Sequence, residues 1–376
     1  MVDDDLHRRR TAPRRSGWRD RARSPRRAVR ALSAAVLVSA VGLLSACAGD
    51  TDDMTVLKLA DSYATTHMFA RYGVEGFIED VTEPGEGGVE IEYYPAGQLG
   101  SARDIVNLAQ AGSLEVTPAA PSYLSDQLPL SSVTDLPGLA EDSCVASAAF
   151  RDLLDEDGVL YQEEYAPRGL RPLWVAVIPG YELMTASRKI ETPEDVPGLT
   201  IRSSGGAMDT NIESLGAAPV SMTAADAYEA LSRHTVDGIS FPYASVTPYR
   251  LEEVLRYSTK GLNLGSFAMP YVIAEEAWQD LTPAQQDRIQ TAADEASQRL
   301  CDGITEENPA SEQLMRDAGV EFTELTDEQI DDFAVHLEPL RRAWAEEFDT
   351  AGRPGTAVLE AYEEAVARHE TAAEEG

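Results

Sequence analysis

Apolar and polar positions divide the chain into strands and helices. Residues 55–60 are predicted as a strand, and residues 89–94 alternate apolar and polar side chains, which is typical of a sheet with one buried face. Between these strands, apolar residues recur at helical spacing, at Phe69, Val74, Phe77, Ile78 and Val81. A strand, a helix and a strand in that order predict βαβ units and a parallel sheet.

The alternation of elements continues along the chain. Residues 102–112 are predicted to be helical, and further strands are predicted at 171–178, 182–187, 199–202, 218–222 and 271–274. Thr192, Thr223 and Thr282 each mark a helix start, because an acid or amide follows three residues later. The C-terminal fifty residues are predicted to be mainly helical and acidic, with one apolar face formed by Ile330, Phe333, Leu337, Leu340 and Trp344. The fold class is therefore α/β.

The first 46 residues form a basic leader followed by an apolar run, residues 31–46. About 16 apolar residues are short for a membrane span, which needs about 20, but suit an export signal. The run ends in Leu-Ser-Ala-Cys, which resembles the lipobox of bacterial lipoproteins, where the cysteine is lipidated. We therefore predict lipidation of Cys47, followed by a tether over residues 47–54. The alternative is a plain signal peptide with an incidental cysteine.

Charge excludes several classes of partner. The chain has 31 basic and 65 acidic residues, and the leader carries a balance of +7, which leaves −41 for the remainder. Because a surface this acidic repels nucleic acid and anionic lipid, we expect neither as a partner.

Besides Cys47 the chain has two cysteines, Cys144 and Cys301, in an exported and therefore oxidising context. We expect them to form a disulfide. Two buried thiols that persist outside the cell are the alternative.

The sequence offers no recognisable catalytic centre. Its histidines are far apart, and none lies in a metal-binding motif or beside a nucleophile. His67 follows the first strand and is interpreted as a surface residue, with a ligand contact as the alternative. Residues 203–211 could offer backbone N–H groups to an anion, or form only a turn. No catalytic residue, metal or cofactor is therefore predicted.

Four stretches together resemble one known family. Residues 93–112, 122–139, 192–206 and 224–242 resemble, in order, motifs of the DctP family, the solute-binding proteins of tripartite ATP-independent periplasmic (TRAP) transporters. The resemblance extends from about residue 55 to about residue 345.

The resemblance implies a two-lobed fold of the periplasmic-binding-protein type (class II), with a hinge and a ligand cleft between the lobes. It implies lobe I at residues 55–175 plus 266–308 and lobe II at 176–265 plus 309–376. We expect a monomer, anchored through Cys47 on the outer face of the cytoplasmic membrane, that delivers an organic acid to TRAP membrane subunits. An exported lipoprotein enzyme or a ligand sensor on the same fold is the rival interpretation.

Arg202 matches the position of the family's ligand arginine, which forms a bidentate pair with a ligand carboxylate. A planar guanidinium at a strand end suits that task. The alternative is a surface ion pair.

The pocket departs from the family's common pattern at three positions. Phe241 replaces an asparagine that helps to hold the acid, Ala224 replaces an aromatic residue, and Glu182 falls about where some members carry a second arginine. These departures favour a monocarboxylate with an apolar or aromatic body, or one whose amine meets Glu182. We expect further aromatic side chains to line the cleft, with core packing as the alternative for each: Tyr63, Trp174, Tyr181 and Tyr243.

Overall fold

Strands and helices alternate through residues 54–83 and 88–375, the part of the chain described by this computed structural model. The strands are β1 Thr55–Ala60, β2 Val89–Tyr94, β3 Val116–Pro118, β4 Leu170–Ile178, β5 Glu182–Thr185, β6 Thr200–Ser203, β7 Ala218–Ser221, β8 Gly238–Phe241, β9 Tyr257–Lys260, β10 Phe267–Ala274 and β11 Glu321–Glu324. The helices are α1 Glu75–Thr82, α2 Ile105–Gln110, α3 Ser143–Leu154, α4 Ala207–Ser214, α5 Ala224–Ser232, α6 Glu275–Gln279, α7 Pro283–Asp317, α8 Asp327–Thr350 and α9 Gly355–Glu375.

The strands form two sheets, which define two lobes. The first sheet has the order β2-β1-β3-β10-β4, and the second has the order β11-β9-β5-β8-β6-β7. β1 and β2 pair in parallel with α1 between them, which confirms the predicted βαβ unit. The fold class is also confirmed: it is a two-lobed α/β protein. Among the described residues, no helix is both long and apolar enough to cross a membrane.

Two hinge segments, residues 179–181 and 261–266, carry the chain between the sheets. The first joins β4 to β5, and the second joins β9 to β10. They are paired with each other, because Tyr181 N–H donates to Gly265 O at 3.1 Å and Leu264 N–H donates to Tyr181 O at 2.8 Å. Movement of one hinge segment therefore requires movement of the other.

Helix α7 contacts both lobes along its 35 residues. Ile289 and Leu300 pack in the same core cluster as residues of the first sheet, whereas Met315 packs with Ile239 of the second. A helix of this length spans about 52 Å. Pro309 lies inside it, in the part nearer the second lobe.

A disulfide joins Cys144 on α3 to Cys301 on α7, across 157 positions of the sequence. This agrees with the pairing expected from the export signal. The Cα atoms are 4.8 Å apart, so α3 and the middle of α7 are fixed to each other. Cys47 and the predicted leader lie outside the described residues.

The C-terminal helix differs from the predicted lobe division. Residues 309–376 were assigned to lobe II, but α9 packs against α3 of lobe I, with the ring centroids of Tyr362 and Phe150 6.4 Å apart. The acidic helical pattern showed that α9 has an apolar face but not which helix covers it. The first lobe also continues to Ile178, because β4 does not end at residue 175.

The helix predicted at Thr192 is a single 3₁₀ turn, Pro193–Asp195. The capping box is present, with the Asp195 carboxylate accepting from Thr192 N–H. Pro197 and Gly198 follow the turn, and neither favours continuation of a helix. The capping box at Thr192 therefore starts a helical turn, but Pro197, two residues after that turn, prevents it from continuing as a helix.

Candidate functional site

Arg202 is buried at the end of β6, a strand inside the second sheet, between β8 and β7. Its Nε and Nη2 atoms donate to the Met222 carbonyl oxygen at 3.1 and 2.8 Å, and Nη1 lies 3.4 Å from the Ser240 carbonyl oxygen. One edge of the guanidinium is therefore held by the backbone. Nη2 also donates to the Tyr123 hydroxyl, so one N–H of Nη1 remains for another acceptor.

The Arg202 guanidinium has no acidic partner within ion-pair distance among the described residues. Its central carbon lies 5.1 Å from the centroid of the Phe241 ring, so a cation–π contact covers one face. A buried charge is costly unless an opposite charge compensates it. The environment of Arg202 is therefore suited to an anionic ligand.

Tyr123 of the first lobe reaches Arg202 of the second. Its hydroxyl oxygen accepts from Arg202 Nη2 at 3.3 Å and from Ala224 N–H at 3.1 Å. Because the oxygen accepts twice, its own proton remains to be donated. Arg202 and Tyr123 thus place N–H and O–H donors side by side at the junction of the lobes.

Aromatic side chains surround this junction. Tyr181 lies 6.3 Å from Phe241 between ring centroids, and Tyr249 lies 6.2 Å from the same ring. Burial raises the pKa of Tyr63 and Tyr181 well above the ordinary value, so both hydroxyls stay protonated. The structure therefore brings Tyr63, Tyr181 and Phe241 into one cluster with Arg202.

Asp61 fixes the position of Tyr63. Its carboxylate accepts from Tyr63 N–H at 2.9 Å and from the hydroxyls of Tyr93 and Tyr271 at 3.0 and 3.2 Å. Burial raises the Asp61 pKa to about 6, although these hydrogen bonds act in the opposite direction. Hydrogen bonds to Asp61, which follows β1, thus hold Tyr63 in place. We call Tyr63, Tyr181, Tyr249 and Phe241 the aromatic wall.

His67 is buried, in contrast to the surface position interpreted from the sequence. Its ring centroid lies 4.6 Å from Tyr63 and 5.5 Å from Tyr249, and its Nδ1 accepts from Phe69 N–H at 3.2 Å. Desolvation lowers the His67 pKa to about 3, so the imidazole is neutral. It contributes packing to the aromatic wall rather than charge.

A cavity of about 530 Å³ opens beside this cluster. Its walls come from both lobes and include Tyr63, Tyr123, Ala224 and Tyr249. Arg103 crosses the cavity from the first lobe and donates to Ser221 Oγ of the second at 3.0 Å. The cavity is therefore an inter-lobe cleft, and a polar contact joins its two walls.

Three predicted site residues lie elsewhere. Both Glu182 carboxylate oxygens accept hydrogen bonds from the hinge region, at 2.6 Å from Thr259 Oγ1, 2.8 Å from Gly261 N–H and 3.1 Å from Leu262 N–H. Trp174 stacks on Tyr271 at 4.4 Å in the core of the first lobe, and Tyr243 packs on Phe322 in the second. Both Glu182 oxygens are thus already hydrogen-bonded, and neither is left to accept from a ligand amine.

Sequence reasoning missed three residues of the cleft. Tyr123, Tyr249 and Arg103 line it, and Tyr123 makes the direct contact with Arg202. Tyr123 lies in residues 122–139, one of the stretches that resemble the DctP family. That resemblance could have identified Tyr123 as a residue of the cleft. Nothing local marks Tyr249, because its place in the cleft depends on the packing of the two lobes.

Two α/β lobes joined by a paired hinge, with a buried arginine at their junction, define a bilobed solute-binding protein. The chain belongs to the family described as bacterial extracellular solute-binding protein, family 7 (DctP), whose model matches residues 62–347. It is therefore a solute-binding protein of the TRAP type, as its resemblance implied. This is a family of extracytoplasmic transport proteins rather than enzymes.

The comparisons with individual proteins agree with this assignment. The chain is 27% identical over 282 residues to the C4-dicarboxylate-binding periplasmic protein DctP of Rhodobacter capsulatus, covering 73% of this chain and 82% of that protein. A TRAP solute-binding protein of Rhodoferax ferrireducens T118, solved with copurified benzoate, has a TM-score of 0.78 at 20% identity, covering 85% of this chain and all of that one. A marine metagenome TRAP protein specific for aromatic acids, solved with metahydroxyphenylacetate, has a TM-score of 0.77 at 20% identity, covering 84% and 99%.

Proposed function

We propose that this protein captures an aromatic monocarboxylate in the inter-lobe cleft. The observation that carries the proposal is the buried Arg202 guanidinium, which has no acidic partner among the described residues and lies against Phe241. The carboxylate would accept from the remaining Nη1 N–H of Arg202 and from the Tyr123 hydroxyl. The ring would pack among Phe241, Tyr181 and Tyr249.

The geometry favours a monocarboxylate over a dicarboxylate. The walls around Arg202 are aromatic, and the Arg103 guanidinium, which also lines the cleft, donates to Ser221 and is not part of the aromatic cluster. A second carboxylate placed among Phe241, Tyr181 and Tyr249 would lose its hydration without gaining an ion pair. The benzoate and metahydroxyphenylacetate found in two structural relatives support this choice of ligand class.

A thermal-shift screen tests the proposal. Benzoate and metahydroxyphenylacetate should each raise the melting temperature of the purified protein, whereas benzamide and succinate should leave it nearly unchanged. Benzamide keeps the ring and loses the charge, and succinate keeps the charge and loses the ring. Stabilisation by succinate alone, or equal stabilisation by benzamide and benzoate, would show that the proposed ligand class is wrong.

We further propose that the protein is a monomer, held on the outer face of the cytoplasmic membrane by a lipid on Cys47, and that it passes its ligand to TRAP membrane subunits. The leader, the apolar run and the small residues before Cys47 support the anchor. The acidic surface supports it too, because such a surface does not adhere to anionic lipid by itself.

A further inference from the structure

A second cavity, of about 220 Å³, lies beside the second hinge segment. We call it the hinge cavity. Its walls are residues of α8, of the loop before α3 and of the hinge itself: Pro137, Gly138, Glu141, Gly261, Leu262, Asn263, Ile330, Phe333, Ala334, Leu337, Glu338 and Arg341. None of these residues lines the inter-lobe cleft.

The hinge cavity is built on contacts between a lobe and the hinge. Gly138 N–H donates to Asn263 O at 3.2 Å, and the Asn263 side-chain Nδ2 donates to Ala140 O at the same distance. On the other side, Gly261 and Leu262 donate their N–H groups to the Glu182 carboxylate. A molecule in this cavity would therefore touch a segment that must move when the lobes move.

A positive group in the hinge cavity lacks an acidic partner. Arg341 donates its Nε–H to Pro137 O at 2.7 Å, and no carboxylate of the described residues lies within ion-pair distance of it. Its Nη2 lies over Gly138, where an added Cβ would approach to 2.6 Å. Gly138 thus makes room for the guanidinium, whose other N–H groups remain to be used.

A buried acceptor beside the hinge cavity lacks a donor. Asn263 Oδ1 is inaccessible to solvent and has no hydrogen-bond partner. The assignment of oxygen and nitrogen is fixed by geometry, because the opposite orientation would face Oδ1 towards the Ala140 carbonyl. A buried acceptor without a donor costs free energy, and because Oδ1 has no solvent-accessible surface, a donor reaches it only when the second hinge segment moves.

The remaining walls divide into charged and apolar parts. Glu141 and Glu338 are exposed at the rim, whereas Phe333 and Leu337 are buried. The rim therefore attracts positive charge and the floor accepts hydrocarbon. With Arg341, the cavity presents one cationic, one anionic and one apolar surface.

We propose that the hinge cavity binds a small zwitterion with an apolar side chain, of the α-amino acid class. The ligand carboxylate pairs with Arg341, and its ammonium group faces Glu141 and Glu338. Its side chain packs against Phe333 and Leu337. This site is separate from the cleft and does not depend on the cleft ligand proposed above.

Isothermal titration with L-leucine tests the proposal, with 4-methylpentanoate and isopentylamine as analogues that lack the amine and the carboxylate. L-Leucine should bind saturably, and both analogues should bind at least about tenfold more weakly, because each loses one charge-assisted interaction. Arg341→Gln should weaken leucine binding by a similar factor, and Ala334→Leu, which fills the cavity, should abolish it. The matched control is Arg342→Gln at the exposed neighbouring position, which should bind like the wild type.

Arg202→Ala separates the two sites, because leucine binding should persist in it if the hinge cavity is the site. Absence of saturable leucine binding to the wild type, equal affinity for leucine and 4-methylpentanoate, or equal effects of Arg341→Gln and Arg342→Gln would overturn the proposal. If Arg202→Ala does not fold, the comparison of Arg341→Gln with Arg342→Gln still shows whether leucine binds in the hinge cavity.

Discussion

The hydroxyl oxygen of Tyr123 lies 3.3 Å from Nη2 of Arg202, so the first lobe contacts the guanidinium of the second directly. These residues are 79 positions apart in sequence and meet only because the lobes are packed together. Closure of the cleft and completion of the anion site are therefore the same event. On the function proposed above, a ligand carboxylate at Arg202 would stabilise the arrangement in which Tyr123 is also within reach.

Replacement of Arg202 should remove most of the affinity for an acid. We expect Arg202→Ala to weaken benzoate binding by about 2 to 5 kcal/mol, the range for losing one partner of a buried charge pair. Arg202→Lys should recover only part, because it keeps the charge and loses the planar fork. Titration calorimetry measures both, with the exposed Arg233→Ala as control. Wild-type affinity in Arg202→Ala would show that the arginine is structural.

Tyr123→Phe should weaken benzoate binding while leaving the fold intact. The variant keeps the ring and loses the hydroxyl that accepts from Arg202 and Ala224, at a cost of about 1 to 2 kcal/mol in binding free energy. The control is Tyr228→Phe, since the Tyr228 hydroxyl bonds to Glu253 on the surface. Equal affinities of the two variants would contradict the role of Tyr123 at the anion site.

Glu182 should make the protein less stable as pH rises from about 5 to about 7, the interval between its unfolded and folded pKa values. Burial raises its pKa from 4.5 to about 7 in the folded state, so the folded protein binds the proton more tightly than the unfolded chain. The free energy of unfolding should then fall by about 2 kcal/mol between pH 5 and pH 8 on account of this group. Glu182→Gln should reduce the fall by that amount in urea titrations at the two pH values. The exposed Glu346→Gln should behave like the wild type, and an unchanged fall in Glu182→Gln would refute the assignment.

The disulfide should contribute strongly to stability. It closes a loop of 157 positions, and in the chain-entropy model such a bridge adds on the order of 3 to 5 kcal/mol. The double variant Cys144→Ser with Cys301→Ser should unfold at a correspondingly lower urea concentration. Wild type treated with a reductant should match it, whereas two titratable thiols in the denatured, unreduced wild type would exclude the bridge.

Cys47→Ala should detach the protein from the membrane. Loss of the lipid removes the main membrane attachment of an acidic domain, so the variant should appear in the medium or remain as unprocessed precursor. Membrane fractionation and intact mass measure this. Unchanged retention together with unchanged mass would show that Cys47 is not the anchor.

The sequence was sufficient for those features that depend on local pattern. The end of β6 and the position of Arg202 followed from a short strand before a Gly/Ser turn, together with the resemblance to the DctP family. The strand alternation predicted the first βαβ unit, which β1, α1 and β2 form. In each case the information lies within a few consecutive residues.

Features that depend on distant packing could not be predicted in this way. Glu182 is paired opposite Phe241, so it lies on a strand next to the site, yet its oxygens are engaged by residues 259–262 of the hinge region. The cover of α9 by α3 likewise joins elements about 200 residues apart. The tertiary fold decides which partner satisfies a buried carboxylate or covers an apolar helix face. These partners are distant in sequence, so no local pattern identifies them.

Helix α7 is fixed near its middle and contacts the second lobe near its C-terminal end. The Cys301 bridge fixes it to α3, while its far end carries Met315 into the core of the second lobe. Between these points, Pro309 cannot donate to the carbonyl of Thr305, so that turn of the helix lacks one backbone hydrogen bond. Elastic strain from lobe motion should concentrate in this turn. Stiffening it by Pro309→Ala would lower the amplitude of opening without altering any residue that touches the ligand.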